Sequence, residues 1–284
     1  MKTILRSETK EVTISTDGPV ALIGEKINPT GRKKLPQALR EGDFDYVCLL
    51  IERQVNAGAD LLDVNAGVPG MDEVALLPEL VKFVASQTDL PLCIDTANPK
   101  ALEAALKVSV GKPLVNSVSG EEKSMNDILP LVKEHGTAVI ALALDDNGIS
   151  NDAETRLRIA EKIINRAEQM GIPSREIVVD PLVMSVGADT SAAVVTCQTI
   201  SLIREKLGVN MTMGASNISF GMPERHTLNQ VFLALAINAG ASCLITDPAR
   251  LGMTIRASEL LLGRDDYGRN YLTFYRNLEK TKKK

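Results

Sequence analysis

The chain has 284 residues, 44% hydrophobic and 24% charged, which is enough to bury a large core. A formal net charge of −4, with 3% aromatic residues and no Trp, argues against a nucleic-acid surface. The N-terminal sequence MKTILRSETKEVTIS lacks a hydrophobic signal region, and no run of about 18 apolar residues occurs. We therefore expect a cytoplasmic protein with no membrane or nucleic-acid partner.

Short apolar runs alternate with amphipathic stretches along the whole chain. The amphipathic segments 44–58 and 154–171 are typical of helices, and Gly58, Gly171 and Gly240 stand where a helix is expected to end. Eight apolar runs are predicted to be strands: 21–27, 61–66, 92–96, 114–119, 138–144, 177–182, 211–216 and 242–248.

Continuous apolar strands separated by helices predict a parallel sheet covered by helices. Eight such units indicate a single-domain α/β protein, a (β/α)8 TIM barrel spanning residues 20–275. A doubly wound open sheet is the alternative, but the glycine-rich GxGxxG turn expected there is absent. Residues 1–19 are predicted to form a hairpin or extension that closes the barrel bottom, and 276–284 a disordered basic tail.

Asp, Asn and other polar residues follow the apolar run at almost every predicted strand end. In a barrel these ends meet at one rim, where the βα loops carry the chemistry. Any single Asp there is also typical of a helix cap or turn, but repetition around the rim indicates a ligand site. The residues are Glu25, Asn28, Asp63, Asn65, Asp95, Asn116, Ser119, Asp145, Asp146, Asp180, Ser216, Asn217 and Asp247.

A metal ion, a sugar phosphate and a flat heterocycle are three classes of ligand for which a polar rim is suitable. The chain has only two histidines, His135 and His226, and no CxxC spacing, so we predict no bound metal. The turn 213–217 (MGASN) has no Lys or Arg, which argues against a sugar phosphate. Asp and Asn together suit a flat heterocycle with donors and acceptors on its edge.

The four cysteines are predicted to be buried, reduced thiols: Cys48, Cys93, Cys197 and Cys243.

Six ordered segments carry a more specific signal: GEKINPTG (24–31), GADLLDVNAG (58–67), LCIDTANPKALEAAL (92–106), LVNSVSGE (114–121), VDPLV (179–183) and GASNIS (214–219). They resemble the methyltetrahydrofolate:corrinoid protein methyltransferases, and also the folate module of cobalamin-dependent methionine synthase. The resemblance covers roughly residues 20–262. It implies a pterin-binding barrel of the dihydropteroate synthase-like type.

The resemblance also implies roles for individual residues. Asn217 is expected to be catalytic beside N5 of the folate, which carries the methyl group. The other residues implied to bind the pterin or shape its site are Asp95, Asn116, Asp180, Gly214, Ser216 and Ile245. Further residues implied to line the pocket are Glu25, Asn28, Asp63 and Asn65.

The implied reaction moves a methyl group between N5 of tetrahydrofolate and the cobalt of a corrinoid, in a direction that the sequence leaves open. A neutral amide is able to hydrogen-bond N5 as its charge changes, without a fixed cation. Neither His135 nor His226 lies in the DxHxxG pattern of cobalamin modules, so the corrinoid is expected on a separate partner protein. The family also implies a homodimer.

Two positions depart from the family pattern: Lys26 stands where Arg is often found, and Phe220 where some members have a polar residue.

Two alternative functions remain open. One is a dihydropteroate synthase-type pterin transferase, although its TPDSF-type and GxSRK-type loops are absent. The other is a folate-binding subunit without catalytic activity.

Overall fold

A computed structural model describes residues 1–282 of the chain. The strands are β1 Lys2–Arg6, β2 Glu11–Ser15, β3 Ala21–Ile27, β4 Leu61–Asn65, β5 Leu92–Asp95, β6 Leu114–Ser119, β7 Ala138–Leu142, β8 Ile177–Asp180, β9 Asn210–Met211 and β10 Cys243–Thr246. The helices are α1 Lys34–Glu41, α2 Asp45–Asn56, α3 Glu73–Gln87, α4 Pro99–Val108, α5 Glu122–His135, α6 Ala153–Gln169, α7 Ala192–Lys206, α8 Arg225–Ala239, α9 Pro248–Leu261 and α10 Arg269–Lys282. Short 3₁₀ turns cover Ser174–Glu176, Ala215–Ser219 and Asp266–Gly268.

Eight parallel strands form the barrel, in the order β10-β3-β4-β5-β6-β7-β8-β9. The seam between β9 and β10 is closed by backbone hydrogen bonds from Ser242 to Met211 (3.3 Å) and from Ile245 to Met213 (3.0 Å). Helices alternate with the strands, and one large apolar core fills the layer between them. The (β/α)8 barrel predicted from the alternating runs is therefore confirmed.

Seven of the eight predicted barrel strands agree with the structure to within two residues at each end. The exception is the segment 211–216, where the regular strand ends at Met211. The backbone N–H of Asn217 instead bonds the carbonyl of Gly214 (3.1 Å), and that of Phe220 bonds the carbonyl of Asn217 (3.1 Å). These local bonds withdraw the chain from the sheet into the 3₁₀ turn Ala215–Ser219.

The strands β1 and β2 pair antiparallel and pack against the bottom of the barrel. Leu5 and Ile14 are fully buried among inward-facing barrel residues. The Asn210 side-chain amide donates to Thr3 Oγ1 (2.9 Å) and to the carbonyl of Ile14 (3.0 Å), which links the hairpin to β9. Because its contacts are buried, the hairpin is a plug rather than a loose extension.

The C-terminal segment differs from the expected disordered tail at 276–284, because α10 continues to Lys282. Lys283 and Lys284 lie outside the described residues. Phe274 anchors the helix: its ring packs against Gly58 and Gly252, where any added Cβ would collide with it. The Arg256 guanidinium lies 5.8 Å from the centre of the same ring. Lys280 and Lys282 therefore belong to an anchored helix, and the boundary expected at residue 275 falls inside that helix.

Within residues 1–282, no helix has both the length and the apolar character needed to cross a membrane.

Ile14→Ala is expected to lower the free energy of unfolding by about 2–5 kcal/mol, because a fully buried side chain leaves a cavity. Urea unfolding followed by circular dichroism measures the change. Thr13→Ala, at an exposed position of the same strand, is the matched control and should alter stability by less than about 0.5 kcal/mol. Equal midpoints for the two variants would show that the hairpin is not part of the cooperative core.

Candidate functional site

Strand alternation brings the polar residues of the rim into the barrel interior. Successive side chains of a strand point to opposite faces, so residues two apart share a face. Along β4, Leu61 lies among the inward-facing apolar residues, and Asp63 and Asn65 follow it at spacing two. The same spacing separates Cys93 from Asp95 on β5, Leu114 from Asn116 on β6, and Val178 from Asp180 on β8.

The register of neighbouring strands sets Asn65, Asp95 and Asn116 at one level of the barrel. Asp95 is the centre of this group. Its Oδ2 atom accepts a hydrogen bond from Asn28 Nδ2 (3.0 Å) and another from Asn65 Nδ2 (3.0 Å). Three side chains from β4, β5 and the loop after β3 are therefore held together around one carboxylate.

Asp63 lies deeper and is 2% exposed. Its Oδ1 atom accepts a hydrogen bond from Asn116 Nδ2 (3.3 Å), which ties β4 to β6. Burial, and then the nearby Asp95 carboxylate, raise the pKa of Asp63 well above its ordinary value. Burial also raises the pKa of Asp95 to about 6, against the Asn65 hydrogen bond, which lowers it.

Asp180 reaches the same rim from the opposite part of the sheet. Burial raises its pKa to about 7, while the backbone N–H of Leu182 (2.8 Å) and the charge of Arg156 act to lower it. Arg156 is fully buried and holds the loop after β8 by donating to the carbonyls of Pro181 (2.9 Å) and Leu182 (2.7 Å). Arg156 was not predicted from the sequence, because these two partners lie 25 and 26 residues away in the chain.

Asn217 lies in the 3₁₀ turn that follows β9. Gly214 directly precedes the turn and is bridged to Ile245 of β10. A Cβ at Gly214 would sit 3.2 Å from Asn217 Nδ2, so the absence of a side chain at Gly214 makes room for the amide. Ser216 is partly buried beside it. These residues therefore occupy the end of the barrel that the sequence analysis assigned to them.

Within the described residues 1–282, no protein group hydrogen-bonds the side-chain amide of Asn217. The amide is only partly buried. It therefore keeps both its donor and its acceptor for a bound molecule.

Glu25 belongs to an ion cluster at the edge of this rim. Lys26 Nζ lies 2.7 Å from Asp247 and 3.2 Å from Glu25, and Arg32 lies 3.8 Å from Glu25. Asp247 also caps α9 by accepting from the N–H of Ala249 (3.1 Å). Lys26 thus bridges the ends of β3 and β10, a pairing that the sequence did not predict.

Several other strand-end residues serve local structure. Asp145 closes a turn with Gly148, and its carboxylate accepts from the N–H of Asn147 (2.9 Å). Asp146 is exposed. Ser119 is bonded to Glu121 at the start of α5 (3.1 Å). For these residues the cap or turn interpretation matches the geometry.

Phe220 directly follows the 3₁₀ turn that carries Asn217. It is 52% exposed, and the Arg225 guanidinium lies 4.7 Å from its ring centre. The ring therefore lies at the surface of the rim, in contact with Arg225.

Within residues 1–282 no three His, Cys, Asp or Glu side chains are grouped so that they would hold a metal ion. His226 is exposed at the start of α8, and His135 ends α5. Cys93 and Cys243 are buried free thiols, whereas Cys48 and Cys197 are only partly buried.

The family model described as "Pterin binding enzyme" matches residues 24–247, from the middle of β3 to just after β10, and so covers the polar rim. The chain belongs to the pterin-binding enzyme family. Similarity to individual proteins is more specific than the match to the family model. The chain is 32% identical over 263 residues to the methylcorrinoid:tetrahydrofolate methyltransferase of Eubacterium limosum, covering 90% of this chain and 96% of that protein. The resemblance drawn from the six segments is confirmed.

The methionine synthase of Mycobacterium tuberculosis is 31% identical over 253 residues, but this chain spans only 21% of that protein. Solved structures with the same fold include the dihydropteroate synthase of Xanthomonas albilineans in complex with 7,8-dihydropteroate. The match has a TM-score of 0.66 and 22% identity, and it covers 88% of this chain and 96% of that one. The dihydropteroate synthase of Vibrio fischeri gives a TM-score of 0.72 at 17% identity, covering 93% of this chain and 98% of the other. At these identities the structures establish the fold alone.

Asp180→Asn is expected to stabilise the protein at pH 8. The carboxyl has a pKa of about 7 in the folded chain and ~3.9 when unfolded, so the folded state loses stability as the pH rises through this window. The amide removes that cost, which amounts to at most about 4 kcal/mol. Urea unfolding at pH 5 and pH 8 measures the difference between wild type and variant, which should be larger at pH 8.

Asp145→Asn is the matched control, because Asp145 also follows a strand but serves a turn. Its effect should stay within about 0.5 kcal/mol at both pH values. An Asp180→Asn effect of the same size at pH 5 and pH 8 would contradict a raised pKa for this carboxyl.

Proposed function

We propose that the protein is a methyltransferase that moves a methyl group between N5 of tetrahydrofolate and the cobalt of a corrinoid carried by a separate protein. The observation that carries the proposal is that the Asn217 amide has no hydrogen-bond partner within residues 1–282 and lies at the same barrel end as the partly buried Asp95, Asn28 and Asn65. The similarity to a methylcorrinoid:tetrahydrofolate methyltransferase over nearly the whole of both chains supports it. The name of that relative makes transfer toward tetrahydrofolate the working direction.

The pterin is proposed to lie over the polar group inside the barrel. A pterin edge presents an amino group and ring N–H donors, and buried carboxylates accept such donors well. Asp95 and Asp180 are proposed to accept them, and Asn116 to pair with a neighbouring edge position. Asn28, Asn65 and Asp63 hold these groups in place through the hydrogen bonds described above. Ile245 and Gly214 are proposed to form the apolar wall and the floor beside N5.

Asn217 is proposed to act on N5 itself. In tetrahydrofolate N5 carries a hydrogen. The amide oxygen of Asn217 is able to accept a hydrogen bond from this N5–H group and so direct the N5 lone pair toward the methyl group. In methyltetrahydrofolate N5 has no hydrogen, and the amide N–H donates instead. One neutral side chain thus serves both directions without holding a fixed charge at N5.

The corrinoid, when its carrier protein presents it at the barrel mouth, supplies the cobalt that gives or takes the methyl group. The proton released when N5 is methylated leaves through water at the open rim. The chain's own residues bind the folate, orient N5 and exclude water from the pterin edge. We propose that the reaction takes place in the cytoplasm as part of one-carbon metabolism.

Asn217→Ala is expected to lower the rate constant of methyl transfer by about 100-fold or more, because the group that orients N5 is lost. The dissociation constant for tetrahydrofolate should change by less than about threefold, since the carboxylates remain. Transfer is measured with methylcobalamin plus tetrahydrofolate, and in reverse with reduced cobalamin plus methyltetrahydrofolate, through the cobalt absorbance. Asn165→Ala, at an exposed position on α6, is the matched control and should behave as wild type.

The other possible outcomes separate the rival functions. Folate binding without transfer to or from any corrinoid protein would support a binding subunit. Condensation of a dihydropterin pyrophosphate with p-aminobenzoate would instead support a dihydropteroate synthase-type enzyme. The turn Ala215–Ser219 contains no Lys or Arg, in contrast to the GxSRK-type loop of a dihydropteroate synthase, so this site does not favour that reaction.

We further propose that the protein is a homodimer joined through α7 and α8. These neighbouring helices expose apolar side chains: Val194 is 58% exposed, Val231 57% and Leu235 50%. Val231 and Leu235 lie one helical turn apart, so they present a continuous apolar strip. A second copy of the same strip is the partner that an isologous contact requires.

Leu235→Glu is expected to convert the dimer into a monomer, because the new carboxylate would be buried without a partner. Sedimentation velocity at a fixed concentration measures the mass. Val110→Glu replaces an equally exposed apolar residue outside α7 and α8 and should leave the dimer intact. A monomeric wild type would rule out the dimer directly.

A further inference from the structure

We propose that Arg225 is a positioning residue that holds Asn217 in its working geometry. The inference rests on the proposed function, because it assigns a role toward the group that orients N5. Arg225 is the first residue of α8 and lies eight positions after Asn217 in the chain. It was not among the residues singled out by the sequence analysis.

Three contacts join the Arg225 guanidinium to the turn that carries Asn217. Its Nη2 donates to the carbonyl of Ser216 (3.0 Å), the residue directly before Asn217. Its Nε donates to Ser219 Oγ (3.0 Å), two residues after Asn217. The guanidinium also stacks over the ring of Phe220, with 4.7 Å from its carbon to the ring centre. The contacts therefore bracket Asn217 on both sides.

The planar fork of arginine is what this bracket requires. Nε and Nη2 are adjacent donors in one rigid plane, and the face of that plane is free to stack on an aromatic ring. Lysine has a single rotating ammonium and cannot reproduce two fixed donors and a stacked face together. The Arg225 side chain is largely exposed, yet it makes all three contacts with one five-residue turn and the residue after it.

The loop after β8 holds the other side of the same turn. The N–H of Val186 donates to the carbonyl of Ile218 (2.9 Å), and Ser185 Oγ donates to the carbonyl of Phe220. The backbone of the turn is thus fixed from α8 and from the β8 side, whereas the Asn217 amide has no protein partner within residues 1–282. The position of the amide therefore depends on the backbone contacts.

A competing role for an exposed arginine at this rim is to bind the carboxylates of the glutamate tail of folate. The two roles make different demands. An anchor for the tail would raise KM for folate and would have no effect on a tetrahydropterin that lacks the tail. A positioning residue would lower kcat for both substrates, because N5 is common to them.

The experiment compares wild type with Arg225→Met, Arg225→Lys and the control Arg250→Met. Arg250 is an exposed arginine in the first turn of α9, and its side chain has no ion pair or hydrogen bond in the described part of the chain. The control removes the same charge from the barrel rim. Methyl transfer is measured with tetrahydrofolate and with the tail-less tetrahydropterin, and hydrogen–deuterium exchange is followed over residues 214–222.

For Arg225→Met we expect kcat to fall by on the order of 100-fold with both substrates and KM to change by less than about threefold. Arg225→Lys should recover part of the loss, and Arg250→Met should retain wild-type values. Exchange at 214–222 should become about tenfold faster in Arg225→Met, as expected for the loss of net hydrogen-bond stabilisation, while exchange in β4 to β6 stays unchanged.

A raised KM confined to the substrate with a glutamate tail would overturn the inference in favour of tail binding. Unchanged exchange over 214–222 would overturn it as well, and this measurement needs no turnover. A wild type that does not transfer methyl in either direction would count against the proposed function, whereas active wild type and active Arg225→Met would count only against the role of Arg225.

Discussion

The closed ring of parallel strands is the constraint on which the site depends. All eight strands run the same way, so their carboxyl ends form one rim. Side chains alternate between the barrel interior and the helix layer, so each strand sends polar residues inward only at every second position. Asp63, Asp95 and Asn116 come together for this reason, although they are separated by 53 residues between first and last.

The same geometry carries an energetic cost. Asp63, Asp95 and Asp180 are carboxyl groups in a poorly solvated interior, where burial raises each pKa. Amides at 28, 65 and 116 offset part of that cost by donating to two of these carboxyls. Carboxyl groups of this kind reduce the stability of the empty protein, and a ligand with many N–H donors, as proposed here, would satisfy them. A site built in this way is expected to be less stable empty than filled.

Much of the barrel was predictable because its strands read as apolar runs that end in Asp or Asn, as at Ile177–Asp180. The local pattern failed where tertiary contacts decide the structure. Residues 211–216 are apolar enough for a strand, yet hydrogen bonds inside the turn end it at Met211. The polar segment 276–282 looks like a tail, yet it continues α10, which Phe274 anchors on two glycines that are distant in sequence. Arg156 and Arg225 were missed because an arginine bonded to loop carbonyls leaves no periodic pattern.

The hairpin plug at the barrel bottom has a kinetic consequence. Within residues 1–282, Leu5 and Ile14 fill that end of the barrel, opposite the rim formed by the βα loops. A folate and a carrier protein that both bind at this rim would reach the barrel interior through the same opening. If the proposed function is right, the folate must therefore enter before the carrier docks and leave after it undocks.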